Sequence, residues 1–158
     1  MTTAVDTNAF LALLYDDEYA DASEAALRRA YREGAVVVTP IVHAELAADG
    51  RFDSPADLDR FLEDFSVNVV DPSREARFIA GDRFREYVDR RLDGIQCPAC
   101  GENRSIDCEA CGESLSRRQH IAADFLTGAH AAVDCDGLVS FDTGFYSTYF
   151  PSLAVVPN

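Results

Sequence analysis

The chain has 158 residues, 47% hydrophobic and 27% charged, which is the size of one ordinary domain built on a single core. Its 28 acidic residues outnumber 14 basic ones, for a net charge of −14, and every basic residue is Arg. With no Lys, the chain is excluded from Walker-type phosphate loops, Schiff-base chemistry and Lys-assisted aspartyl-phosphate chemistry, and no apolar run reaches the ~20 residues that span a bilayer.

An acidic, Lys-free surface stays hydrated in molar salt, where a Debye length of ~3 Å screens self-repulsion. The N-terminus lacks the charged-then-apolar layout of a signal peptide. Composition therefore predicts a soluble cytoplasmic protein of a salt-loving prokaryote, an archaeon.

Thr3-Ala4-Val5 predicts a short strand running into Asp6, and Asn8 to Tyr15 a helix. Ser23 to Arg32 reads as a second helix, with Ala25, Ala26, Leu27 and Ala30 forming its apolar stripe and Gly34 stopping it. Ala35 to Val38 is a continuous apolar run, as in a strand buried on both faces of a parallel sheet. Thr39-Pro40 opens a helix from Ile41 to Ala48, with Pro near its first turn. Ser54-Pro55 starts another, with Leu58, Phe61, Leu62 and Phe65 at helical spacing.

Val67 to Val70 is a third strand, and Pro72 to about Leu92 a long helix. Arg117 to Ala132 is helical, Leu138 to Phe141 is a fourth strand, and Leu153 to Val156 adds an edge strand. The alternation predicts a three-layer α/β/α sandwich on a parallel sheet of four to five strands, one domain spanning 1–158.

Four of the five Cys lie in Cys97-Pro98-Ala99-Cys100 and Cys108-Glu109-Ala110-Cys111, with Gly101 and Gly112 behind each pair. Two such knuckles complete a tetrahedral Zn²⁺ site, and the glycines suit the tight turns that follow. Disulfides and a redox pair are the alternatives, and a reducing cytosol disfavours both. The knuckle occupies 95–113, before the penultimate strand. With all four thiolates engaged, the zinc is structural, while Cys135 stands alone as a small buried residue.

Between Arg83 and Arg118, seven Arg balance seven acids, so the rest of the chain carries the whole −14. A polyanion docks most easily on this stretch, with Arg104, Arg117 and Arg118 as contacts. The alternative is that these Arg pair with local acids on a solvated helix. Of the three His, His43 and His130 sit in apolar helical contexts as packing residues, and His120 lies beside Arg118.

Ligands of an open α/β sheet bind at the carboxyl ends of its strands. Asp6 ends the first strand and Asp142 the fourth; Glu45 lies a turn into the helix after the second strand, and Asp124 in the helix before the fourth. Such carboxylates repel one another unless a cation lies between them, and carboxylate with water suits Mg²⁺ or Mn²⁺. A metal held this way polarises a phosphodiester and lowers the pKa of an attacking water.

Four segments together resemble the acidic motifs of PIN-domain ribonucleases. They are Val5-Asp6-Thr7-Asn8-Ala9-Phe10-Leu11, Pro40-Ile41-Val42-His43-Ala44-Glu45-Leu46, Ala123-Asp124-Phe125-Leu126-Thr127-Gly128-Ala129-His130-Ala131 and Phe141-Asp142-Thr143-Gly144-Phe145-Tyr146. The last is similar to the form found in VapC toxins of archaea. The resemblance implies a metal-dependent endoribonuclease in which Asp6, Glu45, Asp124 and Asp142 hold Mg²⁺ or Mn²⁺. Thr7 and Asn8 orient the site or the phosphate, and Thr143 supports it from behind.

Two features depart from the family pattern. Phe141 and Thr143 flank Asp142 where Arg is common, and the Cys segment is unusual at this position. The resemblance also implies a toxin of a type II toxin–antitoxin module, an antitoxin partner and a homodimer. The alternatives are a ribosomal-RNA processing endonuclease, since a PIN domain joined to a zinc ribbon resembles one, and a non-catalytic RNA-binding module.

Overall fold

A computed structural model describes residues 1–90, 95–96, 103–114 and 122–157. Strands β1 (Thr2–Val5), β2 (Ala35–Val38), β3 (Val67–Val69), β6 (Gly137–Val139) and β7 (Val155–Val156) form one parallel sheet in the order β3-β2-β1-β6-β7. A separate antiparallel pair, β4 (Ile95–Gln96) with β5 (Asn103–Arg104), lies in the Cys-bearing segment. The predicted α/β/α sandwich is the observed one, and its sheet has five strands.

Side chains of a strand alternate between faces, so a strand covered on both sides must be apolar at every position. Val36 and Val38 of β2 enter one core together with Val5 and Val139, while Val37 enters the other with Ala4 and Leu138. The first face is covered by α1 (Thr7–Tyr15), α2 (Ala20–Glu33), α3 (Pro40–Ala48) and α4 (Pro55–Asp64), through Phe10, Leu27, Leu46, Leu58 and Leu62. The second is covered by α5 (Arg74–Arg90), α6 (Ala122–Asp134) and α7 (Thr143–Tyr149), through Ala80, Phe125 and Tyr146. Among the described residues, no helix is long and apolar enough to cross a membrane.

The sequence signals for helix starts are used as expected. Thr39 and Ser54 cap α3 and α4 by accepting from Val42 N and Asp57 N, and each helix has Pro in its first turn. Boundaries differ in places. The second helix begins at Ala20 rather than Ser23, the long helix at Arg74 rather than Pro72, and the strand before Asp142 ends at Val139 rather than Phe141. The start of the helix expected from Arg117 lies outside the described residues.

Helix α7 has no counterpart among the expected elements. Gly144, Ser147 and Thr148 weaken its intrinsic helix signal, and tertiary packing decides it. Its Tyr146 and Phe150 lie on α6, where Gly128 leaves room for them. A Cβ at Gly128 would stand 2.5 Å from Phe150 Cε2 and 3.0 Å from Tyr146 Cε1. Gly128→Ala therefore forces both rings outward. The expected loss is about 1–3 kcal/mol, in the range of overpacked core sites, read as a lowered urea midpoint.

Candidate active site

Every element that brings an acid to the site does so at the carboxyl edge of the sheet. The first acid follows β1 directly. Asp6 leaves the strand with extended backbone and becomes the N-cap of α1, its Oδ1 accepting from Thr7 N at 2.8 Å. Its Oδ2 accepts from Asn8 Nδ2 at 2.9 Å, Ser140 Oγ at 2.8 Å and Tyr146 Oη at 3.1 Å. The carboxylate thus gathers donors from α1, from the end of β6 and from α7. Asn8 Oδ1 in turn accepts from Phe141 N at 3.1 Å, which ties α1 to the segment carrying Asp142.

Asp142 is the N-cap of α7 and accepts from Phe145 N at 3.1 Å, while its own N–H donates to Ser140 Oγ at 3.1 Å. Glu45 sits in α3, and its Oε2 accepts the hydroxyl of Thr7. Asp124 lies in the first turn of α6, half-buried. Thr7 thus bonds Glu45, and Asn8 bonds Asp6. Thr143 is exposed at the start of α7, and Ser140 belongs to the network behind Asp6.

Ser140 and Tyr146 are the members that sequence reasoning missed. Ser140 was detectable as a polar residue ending the apolar run Leu138-Val139. Tyr146 lies one helical turn beyond Asp142 on α7, a spacing that becomes a signal only once α7 is known to be a helix.

The acids lie within electrostatic reach of one another. The Asp124 carboxyl is pushed up to about 6, first by burial and then by the charges of Asp6, Glu45 and Asp142. Burial raises Asp6 more than its bonds from Ser140, Tyr146 and Thr7 lower it, and Glu45 adds to the rise. The Tyr146 phenol is held far above its ordinary range by burial, Asp6 and Asp124, so it remains a proton donor. Among the described residues, no three His, Cys, Asp or Glu side chains stand together as a preformed metal centre. The donor set still fits a hard divalent cation, because it consists of oxygen ligands whose mutual repulsion such an ion would relieve.

Half of the Cys segment can be described. Asp107 and Ser114 face each other across a tight hairpin, with Cys108 N donating to Glu113 O and Gly112 N to Cys108 O, both at 2.7 Å. Gly112 takes a φ of +72°, the left-handed turn that the CxxCG pattern anticipates. Backbone N–H groups of Ala110 and Cys111, followed by the Cys111 thiol, draw the Cys108 thiol below its ordinary range. Cys97 and Cys100 lie outside the described residues, as do Arg117, Arg118 and His120.

Arg104 is exposed on β5. Two other Arg of this stretch are paired locally, Arg83 with Glu86 at 2.8 Å and Arg85 with Asp82. His130 is buried as expected and His43 is partly exposed, facing Asp59 at 3.4 Å. Cys135, expected to be buried, is only half so, with its Sγ 3.6 Å from His130 Nε2.

The raised Asp124 pKa has a consequence for stability. Because the folded state holds this proton more tightly than the unfolded chain, its contribution falls as pH rises from about 4 to about 6 and is flat above that. In buffer without added divalent cation, Asp124→Asn is expected to raise Tm above pH 6 and to narrow the difference toward pH 4. Thermal melts of both proteins across this range check it.

No curated protein matches the sequence significantly. The structure is similar to the crystal structure of VapBC2 from Rickettsia felis bound to a DNA fragment from their promoter. The match has 18% identity and a TM-score of 0.60, and covers 98% of this chain and 97% of that one. At that identity the likeness is one of fold. The PIN domain family profile matches residues 3–151, a span holding all four acids and both faces of the sheet, and the chain belongs to the PIN domain family.

Proposed function

We propose that the chain is a Mg²⁺- or Mn²⁺-dependent endoribonuclease that hydrolyses RNA phosphodiesters as the toxin of a type II toxin–antitoxin pair. The observation that carries this reading is the meeting of Asp6, Glu45, Asp124 and Asp142 at the carboxyl edge of the sheet, close enough that, after burial, the charges of the other three raise the Asp124 carboxyl. These four residues would hold the cation, which when bound polarises the phosphate and lowers the pKa of the attacking water.

The chain's own groups supply the order. Asn8, Ser140 and Tyr146 fix the direction of the Asp6 carboxylate through its Oδ2, while its Oδ1 accepts from Thr7 N. Thr7 gives its hydroxyl proton to a bond with Glu45, so it positions an acid rather than attacking the phosphate. Asp142 is held from both sides, by Phe145 N on its carboxylate and by Ser140 on its N–H.

The Rickettsia felis neighbour is described as a VapBC pair, and we read this chain likewise as one half of a pair, with an antitoxin partner, a homodimeric state and a cytoplasmic setting at high salt. We read Cys97, Cys100, Cys108 and Cys111 as a structural Zn²⁺ site. Its support is the Cys108 hairpin, whose N–H groups point at a thiolate as a zinc knuckle requires. That same hairpin favours a second reading, ribosomal-RNA processing by a PIN domain joined to a zinc ribbon. Overexpression separates the two, since a toxin arrests growth and a processing enzyme does not.

Cleavage of total RNA in ~2–3 M KCl, where screening is essentially complete, is expected with Mn²⁺ or Mg²⁺. Asp124→Asn is expected to lower the rate by more than about 100-fold, beyond the loss that an outer-shell partner brings. A folded protein that binds RNA without cutting it, metal supplied, would instead be a binding module. Cys108→Ser is expected to remove the zinc, measured by metal analysis, while Mn²⁺ still binds at the acidic site; loss of the whole fold would make the knuckle part of the core.

A further inference from the structure

We propose that Tyr19 and Phe141 form a stacking shelf for one unpaired RNA base at the rim of the acidic site. The proposal rests on the ribonuclease reading and adds a residue that determines how the substrate is held. The two rings lie 4.7 Å apart between centroids and are inclined by 35°. Phe141 is the anchored member. Its ring is packed against the core under α1 to α4, and its N–H donates to Asn8, whose amide holds Asp6. It also directly precedes Asp142, so the shelf shares its backbone with two members of the site.

Tyr19 is the outer member, 47% exposed. Its backbone is fixed on both sides, the N–H donating to Asp17 Oδ1 at 2.8 Å and the carbonyl accepting from Ser23 N at 2.8 Å. A ring on a fixed backbone presents its face with little entropy to lose on binding.

Charge decides what can lie on that face. Asp16, Asp17 and Glu18 immediately precede Tyr19, and the chain as a whole carries −14. Phosphates are repelled from such a loop, whereas the neutral face of a base is not. Stacking on an aromatic ring also survives salt that removes phosphate contacts. A chain that must grip RNA with an acidic surface therefore gains most from a contact of this kind, next to the carboxylates and directed at an unpaired nucleotide.

A binding experiment tests the shelf whether or not cleavage occurs. Asp124→Asn protein, which leaves RNA uncut, is titrated with a single-stranded RNA dodecamer of mixed sequence carrying 2-aminopurine near its centre, because stacking on an aromatic ring quenches that base. Tyr19→Ala added to it is expected to abolish the quenching and to weaken binding by roughly 5- to 100-fold, the range for one lost stack. Tyr19→Phe keeps both. Tyr31→Ala, a control 59% exposed and about 18 Å further along α2, changes neither.

The Tyr19 effect is expected to persist when KCl is raised about tenfold. Retained quenching in Tyr19→Ala, or full function in Tyr19→Leu, overturns the shelf and leaves Tyr19 as a cover for Phe141 or a contact for a protein partner. RNA that binds with the shelf intact while wild type never cuts it overturns the nuclease reading alone. Failure of any RNA to bind overturns both.

Discussion

The Asp6 carboxylate is buried at the end of the central strand and takes hydrogen bonds from Thr7, Asn8, Ser140 and Tyr146. A buried charge is tolerated only when donors surround it, and here those donors come from both ends of the chain. Asn8 reaches Phe141, Ser140 reaches Asp142, and Tyr146 brings α7 down onto α6. The placement of the other acids follows from this one group. Removing it would take the shared acceptor from Asn8, Ser140 and Tyr146 at once.

The same network explains a site that is organised yet electrostatically uneasy. Glu45 is held by Thr7, Asp142 by Phe145 N, and Asp124 by its position on the first turn of α6. The cost appears at Asp124, whose carboxyl is raised first by burial and then by the charges of Asp6, Glu45 and Asp142. Active sites commonly concentrate strain of this kind where a ligand will relieve it. The two cores above and below the sheet are built from aliphatic and aromatic groups.

The surface poses a separate constraint. A net charge of −14 opposes contact with a polyanion, and the balanced Arg segment does not simply reverse it, because Arg83 and Arg85 are taken up by Glu86 and Asp82. On the proposed ribonuclease reading, recognition of RNA would draw on groups that charge does not govern, such as stacking rings beside the acidic rim.

Much of this was legible in the sequence because it is local. The all-apolar Val36-Val37-Val38 run announces a doubly covered strand, Thr39-Pro40 and Ser54-Pro55 announce helix starts, and the acids announce themselves by following or facing apolar runs. Glu45 was the weakest of these, since nothing beside it in α3 marks it; its bond from Thr7 spans 38 residues. Ser140 and Tyr146 went unread for the same reason, their bonds to Asp6 spanning 134 and 140 residues. Composition, the alternation of strands and helices and several helix starts were thus determined by the sequence itself, through periodicity and capping. Which donors hold those acids, that Thr143–Tyr149 folds as a helix at all, and that Tyr19 meets Phe141 were decided only by tertiary structure, because each depends on a contact that no local window contains.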